Sequence, residues 1–385
     1  MKFFLLLFVI LFSCTATLTA QSLYIKGRVA DGENNQPLKG ASVYINNSTR
    51  GTVTDENGEF ILGPFEPGKY EVVASYVGYS ALLYTAELKT NGYKISFVLE
   101  RKEKSMREIL ILTSETRRKY LDIFKKNVLG FSYAAERCKI KNIEEALFTP
   151  GETKDEFLAY TGQELIIENP ELGYTIHFEL LDFYYNKATG ATYFYGYTRY
   201  EDWGKNDKTK KRWLRRRKEA YEGSTVHFLR SLVKKELTKE GFTTYQLYQT
   251  AKAKTDSIRK SGGIRINAGE VSGMQIASRT TEDSMIHLYS DSGYRLYELK
   301  IKQGWRISYN RNTALKLEIQ KNQMIMGQPP AGTISGLRLR NQEHESLILV
   351  NERGIILTPM RLYFDGMWAY ERLANMLPED YEPGK

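Results

Sequence analysis

The sequence predicts a mainly β protein: a seven-stranded N-terminal β-sandwich, then a mostly antiparallel β region with two or three packed helices. Three observations carry this. Over residues 22–100, short alternating runs are broken by turn residues about every 8 to 12 positions, the rhythm of a sandwich. From Gly263 onward a similar alternation returns. Tyrosine, at 27 of 385 residues, is the compositional outlier. It favours half-buried pleated surfaces, where its body packs and its hydroxyl stays wet. At 42% hydrophobic and 26% charged, the chain has the composition of a folded protein with room for more than one domain.

Residues 1–20 read as a signal peptide. Lys2 supplies a positive start, and residues 3–12 form an apolar run too short to span a bilayer as a helix. Cleavage after Ala20 would leave Gln21 first. Cys14, in "LFSC", offers a second reading, a lipidated cysteine, against which Phe12 counts. No later run reaches the roughly 18 apolar residues of a membrane helix. Export from the cytoplasm is therefore expected. With the leader gone only Cys138 is left, so no internal disulfide forms, and a buried core thiol is expected there. The net charge of +9 is mild for this length.

Within residues 22–100, "LYIKGRVAD" sets Leu23, Ile25, Gly27 and Val29 on one face and Lys26 and Arg28 on the other. "ASVYI", "GEFIL", "GKYEVVASYVGY", "SALLYTAEL" and "KISFVLE" continue the pattern. "GTVTDENGEFIL" has the acidic look of a calcium loop. Placing Asp55, Asn57 and Gly58 at loop positions 3, 5 and 6 puts Val53 and Pro64 where position 1 and 12 oxygens are required. The segment is expected to be a tight strand-to-strand turn.

This stretch resembles the carboxypeptidase-regulatory-like domain. The family pattern falls on Gly27 with Val29, Pro37 with Gly40, Thr54 with Asp55, Gly58 with Phe60, Pro67 with Tyr70, and Gly78 with Tyr79. The resemblance implies a transthyretin-like sandwich of the kind also found ahead of TonB-dependent outer-membrane receptors. What the resemblance implies is a fold and a compartment, the periplasm or outer membrane of a Gram-negative envelope, and not an activity, since the family name records an accessory domain rather than a catalytic one.

Residues 101–130 read as a linker and an amphipathic helix, "SETRRKYLDIFKKNVLG", with Ser114 as N-cap, Gly130 as terminator, and Tyr120, Ile123, Phe124 and Val128 as its apolar stripe. Residues 131–385 read as one mostly antiparallel β domain. Its first clear feature is a hairpin around residues 186–190, with Tyr193, Tyr195 and Tyr197 on one face of the second strand. A basic helix near residues 211–236 is expected to cover that sheet, with Leu214, Tyr221, Thr225, Phe228 and Leu232 along its stripe and Gly223 as a kink. A meander follows, "SMIHLY" to "GIILTPMRLYF", closed by a short helix over "WAYERLANML". Charges on both faces of these strands argue against a transmembrane barrel. The region resembles exported proteins of the same accessory-domain family that have no established biochemical role.

No motif for chemistry stands out. His177, His227, His287 and His344 show no metal-ligand spacing, and H-E-x-x-H is missing, so neither metal nor cofactor is expected and the zinc-carboxypeptidase reading has no local support. G-x-S-x-G is missing too. Ser224 and His227 lie one helical turn apart, which leaves a peptide or glycan hydrolase as an alternative. The leading expectation is a cell-envelope binding or assembly protein, with an envelope protein or glycan as partner, and a second alternative is an accessory to a TonB-dependent receptor. The expected partner surface combines Tyr193, Tyr195 and Tyr197 with Lys211, Arg212, Trp213, Arg215 and Arg216. Residues 205–218 hold nine basic residues and one acid, but only Trp213 is interleaved for base stacking, which argues against nucleic acid.

Overall fold

The computed structural model describes residues 22–89, 92–102, 110, 112–204, 207–249, 274–290, 295–311, 333–339, 347–357 and 362–384. Seven strands make the N-terminal sandwich: β1 (Leu23–Asp31), β2 (Ser42–Ile45), β3 (Gly51–Val53), β4 (Glu59–Phe65), β5 (Gly68–Ser75), β6 (Leu82–Leu88) and β7 (Tyr93–Leu99). They form two sheets, β4-β1-β7 and β3-β2-β5-β6. The alternation in β1 buries Leu23, Ile25 and Val29 against Phe60, Leu62, Val72 and Phe97. Gly27 is needed where β1 runs parallel to β7, because a Cβ there would lie 1.8 Å from the Ile95 carbonyl oxygen.

The acidic-looking segment is a turn between β3 and β4. The Asp55 carboxylate accepts from the backbone N–H of Asn57 at 2.9 Å and of Glu59 at 2.8 Å, and Gly58 takes φ +71°. The carboxylate thus holds the turn closed with the same oxygen a calcium ion would have needed.

A second core follows. Strands β8 (Lys139–Ile140), β9 (Leu147–Pro150), β10 (Glu156–Tyr160), β11 (Leu165–Asn169), β12 (Tyr174–Asn186) and β13 (Thr192–Asp202) form one six-stranded sheet. The β12–β13 hairpin is the expected one. Helix α1 (Ser114–Leu129) ends at Gly130 as the sequence suggests, but Thr113 is its N-cap, accepting from the Thr116 N–H. Phe124 of α1 meets Phe183 at 4.9 Å and Phe148 at 6.3 Å, so α1 covers the middle of this sheet, and the basic helix joins the same core through Ala220 and Tyr221 near its C-terminal end. Helix α2 (Tyr133–Arg137) follows it closely.

The basic segment is two helices, α3 (Asp207–Tyr221) and α4 (Thr225–Val233). Gly223, at φ +77°, and the Ser224 N-cap turn the chain between them. The face of α3 that packs inward carries Trp213, Arg217 and Ala220, whereas Leu214 is half-buried. Apolar periodicity picks the wrong stripe here because the side chain at its centre is an arginine.

The third core joins α4 to β14 (Phe242–Gln249), β15 (Met274–Arg279), β16 (Ile286–Ser290), β17 (Leu296–Leu299), β18 (Gly304–Tyr309), β19 (Thr333–Leu339), β20 (Leu349–Asn351) and β21 (Leu362–Gly366). These strands form two sheets, β15-β14-β18-β19-β21 and β16-β17-β20. Short helices α5 (Glu282–Met285) and α6 (Met367–Tyr370) complete it. The expected helix over "WAYERLANML" stops at Tyr370, and turns carry the chain onward. The expected strand "ALKLEIQ" lies outside the described residues. Among the described residues no helix is long and apolar enough to cross a membrane.

Candidate functional site

The residues expected to form one partner surface are placed in two groups. Tyr195 and Tyr197 are half-buried and stack edge to face at 5.9 Å. Burial pushes the pKa of both hydroxyls up, and Glu71 of β5, which Asn46 links to β13 through the Thr198 N–H, raises them further. The basic helix instead docks at the far end of β13. Trp213 is buried, donates to the Pro170 carbonyl at 3.0 Å and meets the Trp203 ring at 5.9 Å. Arg217 forks onto both Asp202 oxygens at 2.8 Å, donates to the Leu172 and Gly173 carbonyls, and lies 3.8 Å over the Tyr174 ring. Although burial alone would raise it, this fork holds the Asp202 carboxyl below its ordinary value. Asp202 is nine residues from Tyr193, about 30 Å along a strand. The basic helix therefore docks beyond the tyrosine row; Lys211, Arg212 and Arg215 are exposed on α3, and Arg216 is half-buried against Glu171.

Ser224 and His227 are neighbours held by the α3–α4 corner. Ser224 Oγ accepts from the His227 backbone N–H at 3.2 Å as the N-cap of α4. The imidazole Nδ1 accepts from the Gly223 N–H at 2.9 Å, and Nε2 lies 3.3 Å from Glu240 Oε2. The Nδ1 lone pair that a base would turn on the serine is thus spent on the backbone. Burial pushes the Cys138 thiol up to about 12, which keeps it protonated and unreactive near neutral pH. Among the described residues no group of three or more His, Cys, Asp and Glu side chains has the geometry to hold a metal ion.

A site that no local sequence pattern marks lies where the three cores meet. Loop 46–50 of the sandwich is tied to β13 by Asn47 N–H to the Thr198 carbonyl at 2.7 Å and by Tyr200 N–H to the Ser48 carbonyl at 2.9 Å. It is tied to the C-terminal segment by Glu379 N–H to the Asn47 carbonyl at 2.6 Å and by Thr49 N–H to Asp380 Oδ1 at 3.0 Å. Arg230 of α4 clasps that segment from the other side, donating to the Arg353, Tyr381 and Glu379 carbonyls at 2.8, 2.8 and 2.7 Å.

Between these ties opens a cleft of about 1040 Å³. The sandwich supplies Arg50, Phe65, Glu66 and Tyr70, the helix corner Tyr221 and Lys234, and the C-terminal region Glu352, Arg353 and Glu379. Two guanidiniums lie over aromatic rings, Arg50 over Phe65 at 4.8 Å and Arg353 over Tyr70 at 4.7 Å. Arg353 also donates to the Tyr70 hydroxyl at 2.6 Å. Arg50, Glu66, Lys234 and Glu352 are exposed at the rim, so both signs of charge face the opening. Glu379 is deeper: burial pushes its carboxyl up to about 8, with Arg353, 3.9 Å away, opposing the rise.

Residues 25–111 match the model of the CarboxypepD_reg-like domain, so the sandwich is a carboxypeptidase-regulatory-like domain. Comparison with curated proteins returns no match. Among solved structures, the chain is similar to a mutant type II cohesin–X-dockerin complex from Acetivibrio cellulolyticus, at 17% identity over 29% of this chain and 76% of that one, TM-score 0.20. It is similar also to a candidate carbohydrate binding protein from Bacteroides uniformis, at 9% identity over 40% and 56%, TM-score 0.17. A candidate membrane-associated protein of unknown function from Bacteroides fragilis matches at 15% identity over 41% and 65%, TM-score 0.18. None of the three exceeds 0.20, and no ligand is read from them.

Proposed function

We propose that this chain is an exported cell-envelope protein with a binding or assembly role, and that its partner enters the cleft between the sandwich and the two following cores. The observation that carries this reading is the cleft itself: a concave site at a junction of domains, with aromatic walls and convergent polar groups. The leader and the accessory-domain character of the sandwich support the compartment and the non-catalytic role. The rim alternates Arg50 and Lys234 with Glu66 and Glu352, a mixture that suits a polypeptide bearing both charges better than a neutral glycan.

Capture from envelope extracts tests this reading. The wild-type protein should retain a defined set of envelope polypeptides, and Arg50→Glu combined with Lys234→Glu should lose them. Both side chains are exposed, so the fold should persist in that variant. Equal capture by the variant would contradict the assignment.

A further inference from the structure

The outer side of α3 shares no lining residue with the cleft, and it carries a charge pattern that the cleft does not use. Lys211, Arg215 and Lys218 fall at i, i+4 and i+7, which places them on one stripe spanning about 10 Å of helix. All three are exposed, as is Arg212 beside them. Two acids accompany the stripe one turn on, Glu219 at 3.9 Å from Arg215 and Glu222 at 3.9 Å from Lys218, and leave it net basic.

The basic surface continues beyond the helix. Arg216 lies 3.5 Å from the buried Glu171, whose other oxygen lies 2.7 Å from Arg137 of α2. Arg137 in turn donates to the Tyr133 hydroxyl and lies 5.5 Å over its ring. Tyr133 (37%), Phe131 (40%) and Met376 (40%) are among the exposed large apolar side chains of the molecule. Met376 belongs to the loop that Ser132 grips through Asn375. Tyr133 thus adjoins the Arg137–Arg216 cations, with Phe131 and Met376 exposed on the neighbouring segments and Glu136 of α2 as an exposed acid in the neighbourhood.

We propose that this face seats the protein on the headgroup surface of an anionic phospholipid bilayer. The cation stripe is extended rather than pocketed, so it matches a plane of phosphates better than a single anion. The apolar side chains decide against an acidic polysaccharide. A hydrated glycan offers Phe131 and Met376 no apolar phase, whereas the acyl boundary of a bilayer does. Aromatics beside basic residues are also the pairing that sits at a membrane interface. The attachment is peripheral and salt-sensitive, since its charges are exposed.

Vesicle flotation tests the proposal on the chain from residue 21 onward. That chain keeps every described core residue and removes the apolar leader, which would itself enter a bilayer. Vesicles of phosphatidylglycerol with phosphatidylcholine should carry the protein, and pure phosphatidylcholine vesicles should not. Lys211→Glu with Arg215→Glu and Lys218→Glu should weaken the association roughly tenfold or more, as should raising salt from about 0.1 to about 0.5 M. Phe131→Ser with Tyr133→Ser should lower the fraction that resists salt, with an unchanged near-ultraviolet circular dichroism spectrum as the check on folding. Flotation on pure phosphatidylcholine, full retention by the charge-reversed variant, or binding to a soluble acidic polysaccharide with none to vesicles would overturn it.

Discussion

At the scale of single residues, Glu379 sets the pH response of the cleft. Its ordinary value is 4.5 and burial carries it to about 8 in the fold. The folded state therefore holds this proton more tightly than the unfolded one does. The stabilisation is complete below pH about 4.5 and is lost as pH rises through about 8, on the order of 5 kcal/mol across the window. Urea unfolding at pH 6 and pH 9 should show the wild type losing stability with rising pH. Glu379→Gln, which has no charge to desolvate, should lose less. Parallel losses in the two proteins would mean that the carboxylate is solvated and ordinary. None of this was legible in "MLPEDYEP", because the surroundings of that acid come from Arg353, 26 residues upstream, and loop 46–50, more than 300 residues upstream. Arg217 is a second case: one cation in a run of like cations is internal because Asp202 and two carbonyls of the β11–β12 turn accept from it.

At the scale of elements, the α3–α4 corner shows what a sequence pattern does and does not disclose. Gly223 and Ser224 announce a break, since glycine takes a positive φ cheaply and serine caps the helix that follows. They also resemble the start of a nucleophile–base pair, and only the imidazole's bond to the Gly223 N–H separates the readings. Ser224→Ala should cost about 1 kcal/mol of stability, the usual worth of such a cap, and leave partner capture intact. Thermal unfolding beside a capture assay checks this. Loss of capture at unchanged stability would return Ser224 to the functional residues. Strands with long alternation, β1, β5, β12 and β13, are legible in the same way. The short β8 to β11 are not, because two to five residues carry too little periodicity to separate strand from loop. The covering helix was also misplaced: α1 and α3 both have an apolar stripe, and only packing decides which one meets Phe148 and Phe183.

At the scale of the whole molecule, the sandwich is not an appended bead. Loop 46–50 lies between β13 and the C-terminal segment, and Lys102 reaches Glu179 of β12 at 2.7 Å. These ties form the cleft and fix its walls, and the regulatory-like domain supplies one side of it. The sandwich was legible from its turns and glycines. The cleft was not, because its walls come from residues 22–70, 221–234 and 352–383, which no local pattern connects. Photo-cross-linking in intact envelopes tests the cleft most directly, with p-benzoylphenylalanine placed at Glu66 on the rim and, for comparison, at Ile61, exposed elsewhere on β4. A discrete adduct at position 66 and none at position 61 is the expected result. Adducts at neither position, or the same adduct at both, would contradict the assignment of the cleft as the partner site.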